Sequence, residues 1–296
     1  MKTTSFMPTT LFEQISTGLS PVPSGDLVVR PLPDDESVAF SLVVPTRNER
    51  HNLAELIALV KPAIVSQVGL SYEIIVVDDD SPDGTWQAAA GMAAADSHIM
   101  AVRRTEERGL ATAVVRGWQA SRGRLLGVID ADLQHPPEVT AQLIAAMWNG
   151  ADLAVGSREA EGGGTSDWSF LRLLISRGSR TLGKILLPGV LGLVSDPMTG
   201  FFVIRRTAIE NVVLAPCGYK ILVELLVRSR ARKIVEVGYV FRSRQRGESK
   251  ACLKVFFDYV QHLFRLRATA RSLSAQALEA QASEAEIPNE TVVAGK

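Results

Sequence analysis

With 296 residues, 46% hydrophobic and 22% charged, the chain is long enough to bury a substantial core and has the composition of a globular protein. Its 32 basic and 32 acidic side chains cancel, so the global electrostatic pull that would indicate a nucleic-acid partner is absent, and any anionic ligand must be met by a local basic cluster. Cys217 and Cys252 have neither metal-ligand nor redox spacing and His51, His98, His135 and His262 are scattered, so reduced thiols and no zinc site are expected.

Residues 1–38 hold Pro21, Pro23, Pro31 and Pro33 and little periodicity; a mobile arm with no apolar leader segment is expected there. Strand-length apolar runs then alternate with helical patterns. The runs are Phe40–Pro45, Glu73–Asp78, Ile99–Arg103, Leu125–Asp130 and Asp152–Gly156. The helical patterns are Asn52–Ser66, Thr85–Ala95, Leu110–Ala120 and Pro137–Asn149. Continuous apolar strands separated by helices predict an α/β fold with a mostly parallel central sheet and helices on both faces.

The second half is less regular. A helical pattern covers Ser169–Leu187, a short strand lies around Phe201–Arg205, a helix near Ile221–Arg230 and a strand over Ile234–Phe241. A basic loop follows, and then an amphipathic pattern over Leu253–Leu266. Its apolar stripe reads Leu253, Phe256, Phe257, Val260, Leu263 and Phe264, with His262 on the polar face. Such a helix packs on a core or lies in a lipid interface. No run approaches the roughly 20 apolar residues of a membrane span; Leu182–Val194 is interrupted by Lys184, Pro188 and glycines. The organisation expected is an arm (1–38), one domain (39–250), an amphipathic helix (251–271) and a polar tail (272–296).

Parallel sheets bind ligands at the carboxyl ends of their strands, and the polar clusters fall there. Asp130-Ala131-Asp132 closes the fourth apolar run. Alternate residues of an extended segment point to one side, so the two carboxylates can share a metal or its water shell. Hard oxygen ligands suit Mg²⁺ or Mn²⁺; Gln134 and His135 could add to them. The plainer alternative is a pair of solvated loop aspartates. Asp78-Asp79-Asp80 must be offset by cations or hydrogen-bond donors, since adjacent acids repel; Asp83 reads as a turn or capping residue. Neither a glycine-rich dinucleotide fingerprint nor a P-loop is present. Diphosphate binding through a carboxylate-held metal is the expectation that remains. The third cluster is Arg242, Arg244, Arg246 and Lys250, either a solvated face or a phosphate site. Arg158 and Arg177 could join it.

Taken together these segments resemble the dolichol-phosphate mannosyltransferases, polyprenyl-phosphate members of the family-2 glycosyltransferases. The resemblance runs from about Phe40 to Lys250. It rests on Val44-Pro45-Thr46-Arg47-Asn48-Glu49-Arg50, Asp78-Asp79-Asp80-Ser81-Pro82-Asp83-Gly84-Thr85, Arg108-Gly109-Leu110 and Asp130-Ala131-Asp132-Leu133-Gln134-His135-Pro136. Gly156-Ser157-Arg158, Ser176-Arg177-Gly178, Asp196-Pro197-Met198-Thr199-Gly200-Phe201 and Arg244-Gln245-Arg246-Gly247-Glu248-Ser249-Lys250 complete it. Each piece is weak; in this order they are specific.

The resemblance implies a GT-A nucleotide-diphospho-sugar transferase fold and inverting transfer of mannose from GDP-mannose to a dolichyl or polyprenyl phosphate. It implies a donor site of Pro45, Arg47, Glu49, Val77, Asp79, Asp130, Ala131, Asp132, Arg158, Arg244 and Lys250. Asp130, Asp132 and Gln134 would hold Mg²⁺ or Mn²⁺, with Asp130, Asp132 and Arg244 catalytic. Arg158, Ser176, Arg177 and Arg246 would meet the acceptor phosphate. Arg47 stands where the family often has an aromatic residue and Asp80 where it usually has a small one, so UDP-glucose transfer to undecaprenyl phosphate is the alternative. A noncatalytic nucleotide-sugar-binding subunit is the remaining one. The partners implied are the nucleotide sugar, the lipid phosphate, the cytoplasmic surface of a membrane and a membrane-anchoring subunit, with no nucleic acid.

Overall fold

The computed structural model describes residues 18–33, 37–165, 178, 181–242, 259–270 and 272. Strand β1 (Val38–Thr46) leads into helix α1 (Arg50–Val68), β2 (Tyr72–Asp78), α2 (Thr85–Ala95), β3 (Ile99–Arg103), α3 (Leu110–Ala120) and β4 (Gly123–Val128). Helix α4 (Val139–Trp148) and β5 (Leu153–Ser157) complete the alternating half. The remainder holds β6 (Gly164–Thr165), the short α5 (Pro188–Leu191), β7 (Phe202–Arg205), α6 (Ile221–Arg228), β8 (Ile234–Gly238), β9 (Val240–Phe241) and α7 (residues 259–270). Most of the helix expected over Ser169–Leu187 lies outside the described residues; its described end is helical at residues 181–186.

Seven strands form one sheet in the order β3-β2-β1-β4-β7-β5-β8, with β6 and β9 paired separately. Pairing is parallel except along β7, which runs antiparallel to both β4 and β5. The chain winds outward from β1 to β3, then returns to place β4 on the other side of β1. That reversal puts a crevice at the carboxyl ends of β1 and β4.

The sheet separates two apolar layers, and alternation along β1 feeds both. Val43 faces the layer that holds α3 and α6, while Phe40, Leu42 and Val44 face α1 and α4. Helix α3 lies close on the sheet because Gly117 has no side chain; a β-carbon there would meet Val43 at 2.6 Å.

Two expectations change. Residues 18–33, read as part of a mobile arm, lie along the domain. Ser20 N–H donates to Ala101 O (2.7 Å), beside the outer strand β3, Leu214 N–H to Leu27 O (3.0 Å) and Asn211 N–H to Val29 O (2.9 Å). Val29 is fully buried. Main-chain hydrogen bonds of this kind carry no hydrophobic period, which is why the sequence pattern misses them.

In α7 the buried residues are Tyr259, His262, Leu263 and Leu266, and Phe264 is 58% exposed. Of the expected stripe, Leu253, Phe256 and Phe257 lie outside the described residues, Leu263 is buried as expected, and Phe264 is not. Tyr259, Leu263 and Leu266 join the core beside α6, and His262, read as a polar-face residue, goes in with them. Its Nε2 lies 3.4 Å from Glu224 Oε2 on α6, with neither ring nitrogen hydrogen-bonded.

Candidate active site

The acidic segments arrive where the sheet places them. Pro45 pairs with Val77 and Thr46 with Asp78 across β1 and β2, and β4 lies on the far side of β1. The ends of β2, β1 and β4 therefore sit side by side.

Each carboxylate of Asp78-Asp79-Asp80 has its own donors, which answers their mutual repulsion. Asp78 Oδ2 accepts from Thr46 Oγ1 (2.8 Å) and Ser81 Oγ (2.6 Å), and its Oδ1 from Ser81 N–H (2.8 Å). Asp79 accepts from Arg104 Nε (2.7 Å) and Nη2 on Oδ1, and from Gly109 N–H (2.7 Å) on Oδ2. Burial pushes the Asp79 carboxyl up, and the hydrogen bonds from Gly109 and Arg104 only partly pull it back. Asp80, in a left-handed conformation, takes a two-pronged grip from Arg103 (2.9 and 2.6 Å), whose guanidinium lies 4.0 Å over the Trp86 ring. Arg47 donates to the carbonyls of Asp79 and Asp80, so the two unusual residues of this corner fasten one turn. Asp83 accepts from Thr85 N–H and Oγ1 (3.0 and 2.6 Å), the turn role among the two expected of it; the residue that caps α2 is Gly84.

Arg104 is the residue that sequence reasoning missed. Its side chain has no exposure, and besides Asp79 it donates to Gly109 O (2.9 Å) and Thr112 Oγ1 (3.0 Å). The signal available was an arginine directly after an apolar strand and just before Arg108-Gly109-Leu110.

Asp130 and Asp132 follow β4. Asp132 Oδ1 accepts Gln134 N–H (3.2 Å) across a turn in which Leu133 has φ +59°. Asp130 Oδ2 lies 3.2 Å from His135 Nε2, while its Oδ1 is buried without a hydrogen-bond partner. An orphaned buried carboxylate oxygen is costly unless something else satisfies it, and a hard cation is the fitting chemistry. Among the described residues no group of three His, Cys, Asp or Glu side chains forms a ready metal cage. Both carboxylates suit a metal that takes its other ligands from substrate oxygens and water. Gly200 closes the far side of Asp130: a β-carbon there would stand 2.8 Å and 3.0 Å from the two carboxylate oxygens.

His135 is walled in by Phe201 (5.3 Å), Tyr239 (5.4 Å) and Phe241 (5.2 Å between ring centroids). Gln134, expected as a metal ligand, has a second engagement. Its Nε2 donates to Arg242 O (3.0 Å), and Arg242 N–H donates to Gln134 O (2.9 Å). This reciprocal pair ties the carboxylate motif to the residue from which the basic loop departs. Arg244, Arg246 and Lys250 lie outside the described residues, as do Ser176 and Arg177.

Arg158, expected at a phosphate, forms a two-pronged ion pair with Asp196 (2.6 and 2.7 Å) below the surface. Burial lowers the pKa of the Arg158 guanidinium and raises that of the Asp196 carboxyl. Their ion pair outweighs it in both, leaving Arg158 above and Asp196 below the ordinary value. The pair fastens the segment that carries Gly200 against the end of β5.

Residues 41–213 match glycosyl transferase family 2. The dolichol-phosphate mannosyltransferase of Pyrococcus furiosus is 46% identical over 226 residues, 76% of this chain and 63% of that protein. The dolichol-phosphate mannosyltransferase of Saccharomyces cerevisiae is 34% identical over 78% of this chain and 87% of its own. The polyprenol monophosphomannose synthase of Mycolicibacterium smegmatis is 37% identical over 71% of this chain and 79% of its own. The chain thus spans less than two thirds of the Pyrococcus furiosus protein and most of the other two. Glucosyl-3-phosphoglycerate synthase from Mycobacterium tuberculosis, solved with Mn²⁺, UDP and glucosyl-3-phosphoglycerate, superimposes with a TM-score of 0.58 at 20% identity, covering 79% of this chain and 80% of that one. That likeness is one of fold, the GT-A arrangement of sheet and flanking helices. With a matching sheet, the acidic ends of β2 and β4 in place and three such relatives, the chain is a glycosyltransferase and belongs to glycosyl transferase family 2, among the dolichol-phosphate mannosyltransferases.

Proposed function

We propose that the chain transfers mannose from GDP-mannose to a dolichyl or other polyprenyl phosphate, with inversion at the sugar carbon. The observation that carries the reading is the Asp130–Asp132 motif, with its unpartnered buried oxygen, tied through Gln134 to the start of the basic loop. In this reading the motif on the donor diphosphate's side is tied to Arg242, the residue ahead of the basic loop assigned to phosphates.

In this reading Pro45, Glu49, Val77 and Asp79 hold the nucleoside, and Arg47 stands beside them. Asp130 and Asp132, with Ala131 between them and Gln134 nearby, hold Mg²⁺ or Mn²⁺, which when bound offsets the diphosphate charge that grows as the sugar departs. The relatives' names supply the acceptor class: dolichol phosphate or a polyprenol monophosphate. Arg158, Ser176, Arg177, Arg244, Arg246 and Lys250 are the groups assigned to phosphates, Arg158 sharing its guanidinium with Asp196. A phosphate monoester has a second pKa of about 6, so it attacks without a strong general base. Fixed arginines orient it and offset its repulsion from the donor.

A lipid acceptor brings the chain to a membrane surface, which we place at the cytoplasmic face, with or without an anchoring subunit. Among the described residues no helix is long and apolar enough to cross a membrane. Exposed Ile185 and Phe264 support a surface contact, since residues 181–186 and α7 meet where Gly183 packs on Tyr259.

The test is to incubate the protein with short polyprenyl phosphate, Mn²⁺ or Mg²⁺ and either GDP-mannose or UDP-glucose, and to weigh the lipid product. Mannosyl lipid from GDP-mannose, lost in Asp132→Ala, is expected. Product from UDP-glucose alone keeps the mechanism and changes the donor; full activity in Asp132→Ala removes the metal from it.

A further inference from the structure

The segment at residues 18–33 lies ahead of the region that matches the family, residues 41–213. It nevertheless ends a chain of charged contacts that begins at the nucleoside corner. Arg104, without exposure, grips Asp79 on one side and approaches Glu107 Oε2 at 3.5 Å on the other. Glu107 is 41% exposed, and such a carboxylate keeps no single rotamer unaided. Arg116 holds it with two prongs, Nε to Oε2 (3.0 Å) and Nη2 to Oε1 (2.5 Å). That hold keeps the Glu107 carboxyl below its ordinary range. Arg116 is itself buried, and its Nη1 donates to Gly25 O (3.0 Å) and to Gln119 Oε1 (2.8 Å).

Gln119 repeats the theme. Its Nε2 donates to Asp26 O (2.7 Å) and Val28 O (3.1 Å). Beyond it Val29 enters the core and Arg206 donates to Arg30 O (3.0 Å). At the other end Ser20 is bonded to Ala101, two residues before Arg103. The segment is therefore anchored on both sides of Gly25, and the Gly25 carbonyl is a fixed point.

We propose that residues 18–33 are a strap that positions Asp79 for the donor nucleoside, through the series Gly25 O, Arg116, Glu107, Arg104, Asp79. This rests on the reading of Asp79 as a nucleoside ligand. Arg116 and Glu107 are positioning residues: neither touches Asp79, and both fix the guanidinium that does. A buried ion pair holds its geometry only when its remaining donors are satisfied, and small misplacement of a binding group is expensive. Donor affinity thus depends on a segment outside the family region, whereas the chemical step and the lipid site do not.

The test uses the full chain in three forms: wild type, Glu107→Gln and Gly25→Val. Glu107→Gln changes a part-exposed side chain and spares the fold. Gly25 has φ +80° with nothing within 4 Å of a β-carbon, so valine there strains the backbone and moves the carbonyl without a clash. GDP and UDP are titrated calorimetrically with Mn²⁺ present, and steady-state rates are measured with short polyprenyl phosphate. Both variants are expected to raise Kd for the bound nucleotide and KM for its sugar by about tenfold, the loss of roughly one charge-assisted hydrogen bond. Wild-type kcat and lipid KM are expected in both, with the thermal midpoint lowered in Gly25→Val by the backbone strain. Unchanged nucleotide Kd in both variants overturns the proposal, and a loss confined to Glu107→Gln overturns the role of the strap. A wild-type chain that binds neither nucleotide sinks the donor reading itself, and the strap's role with it.

Discussion

Gly200 leaves room for the Asp130 carboxylate by having no side chain: a β-carbon at this position would stand 2.8 Å from Asp130 Oδ2 and 3.0 Å from Oδ1. Both distances are too short for a carbon against an oxygen, so Gly200→Ala must swing the carboxylate or shift the loop. The loop is not free to shift, because the Arg158–Asp196 pair holds it close by. We expect Gly200→Ala to reduce transfer by about 100-fold, as misplacement near 1 Å does, with a thermal midpoint close to wild type. Wild-type kcat in a folded Gly200→Ala protein would mean that Asp130 is not held where the reaction needs it.

Gln134 allows two roles to be separated. As a metal ligand its loss weakens Mn²⁺ binding. As the tie to Arg242 its loss frees the start of the basic loop. The reciprocal hydrogen bonds with Arg242 favour the second, so Gln134→Leu is expected to raise the KM for polyprenyl phosphate several-fold while the Mn²⁺ requirement stays as in wild type. A Mn²⁺ titration at saturating donor decides it: a large rightward shift would return Gln134 to the metal.

The alternating half of the fold was open to the sequence because its signals are local. Thr85–Ala95 and Leu110–Ala120 are helices over the residues that the pattern marks. The acidic pairs likewise end strands, as spacing alone indicates. What was hidden depends on partners far away in the chain. Arg104 reads as one more arginine until Asp79 is beside it, and that His262 is buried while Phe264 is exposed depends on how α7 packs beside α6. Residues 18–33 hide for another reason: carbonyls do the binding, and every residue type has one.

Asp196 illustrates the asymmetry of a buried ion pair. The pair itself adds little over an apolar substitute, but removing one partner strands the other charge. Arg158 is 12% exposed at its side chain and Asp196 4%, so solvent cannot take over. Asp196→Ala should lower the unfolding free energy by about 3 kcal/mol. Urea denaturation of the single variant and of Arg158→Met with Asp196→Leu checks this. The double variant should recover most of the stability but not the activity; equal losses in both would mean that the charges are not the cause.

His262 gives the pH dependence a sign. It sits 1% exposed with Nε2 at 3.4 Å from Glu224 Oε2, and Arg228 and Arg265 are the cations around it. Burial, aided by Arg228 and Arg265, holds its pKa down to about 4 from an ordinary 6.5. Between those values the unfolded chain binds the proton and the folded chain does not, so stability is complete above pH 6.5 and falls as the pH drops towards 4. The full window corresponds to about 3 kcal/mol at most. Glu224 works the other way: burial raises its carboxyl above the ordinary range against the pull of Ala215 N–H and Arg228, so protonating it relieves the fold as the pH falls. The comparison that isolates His262 is therefore the difference between wild type and His262→Phe, measured as thermal midpoint from pH 7.5 to pH 4.5. The wild type should lose stability faster than the variant through this range, and parallel profiles would show that α7 is released before His262 takes up its proton.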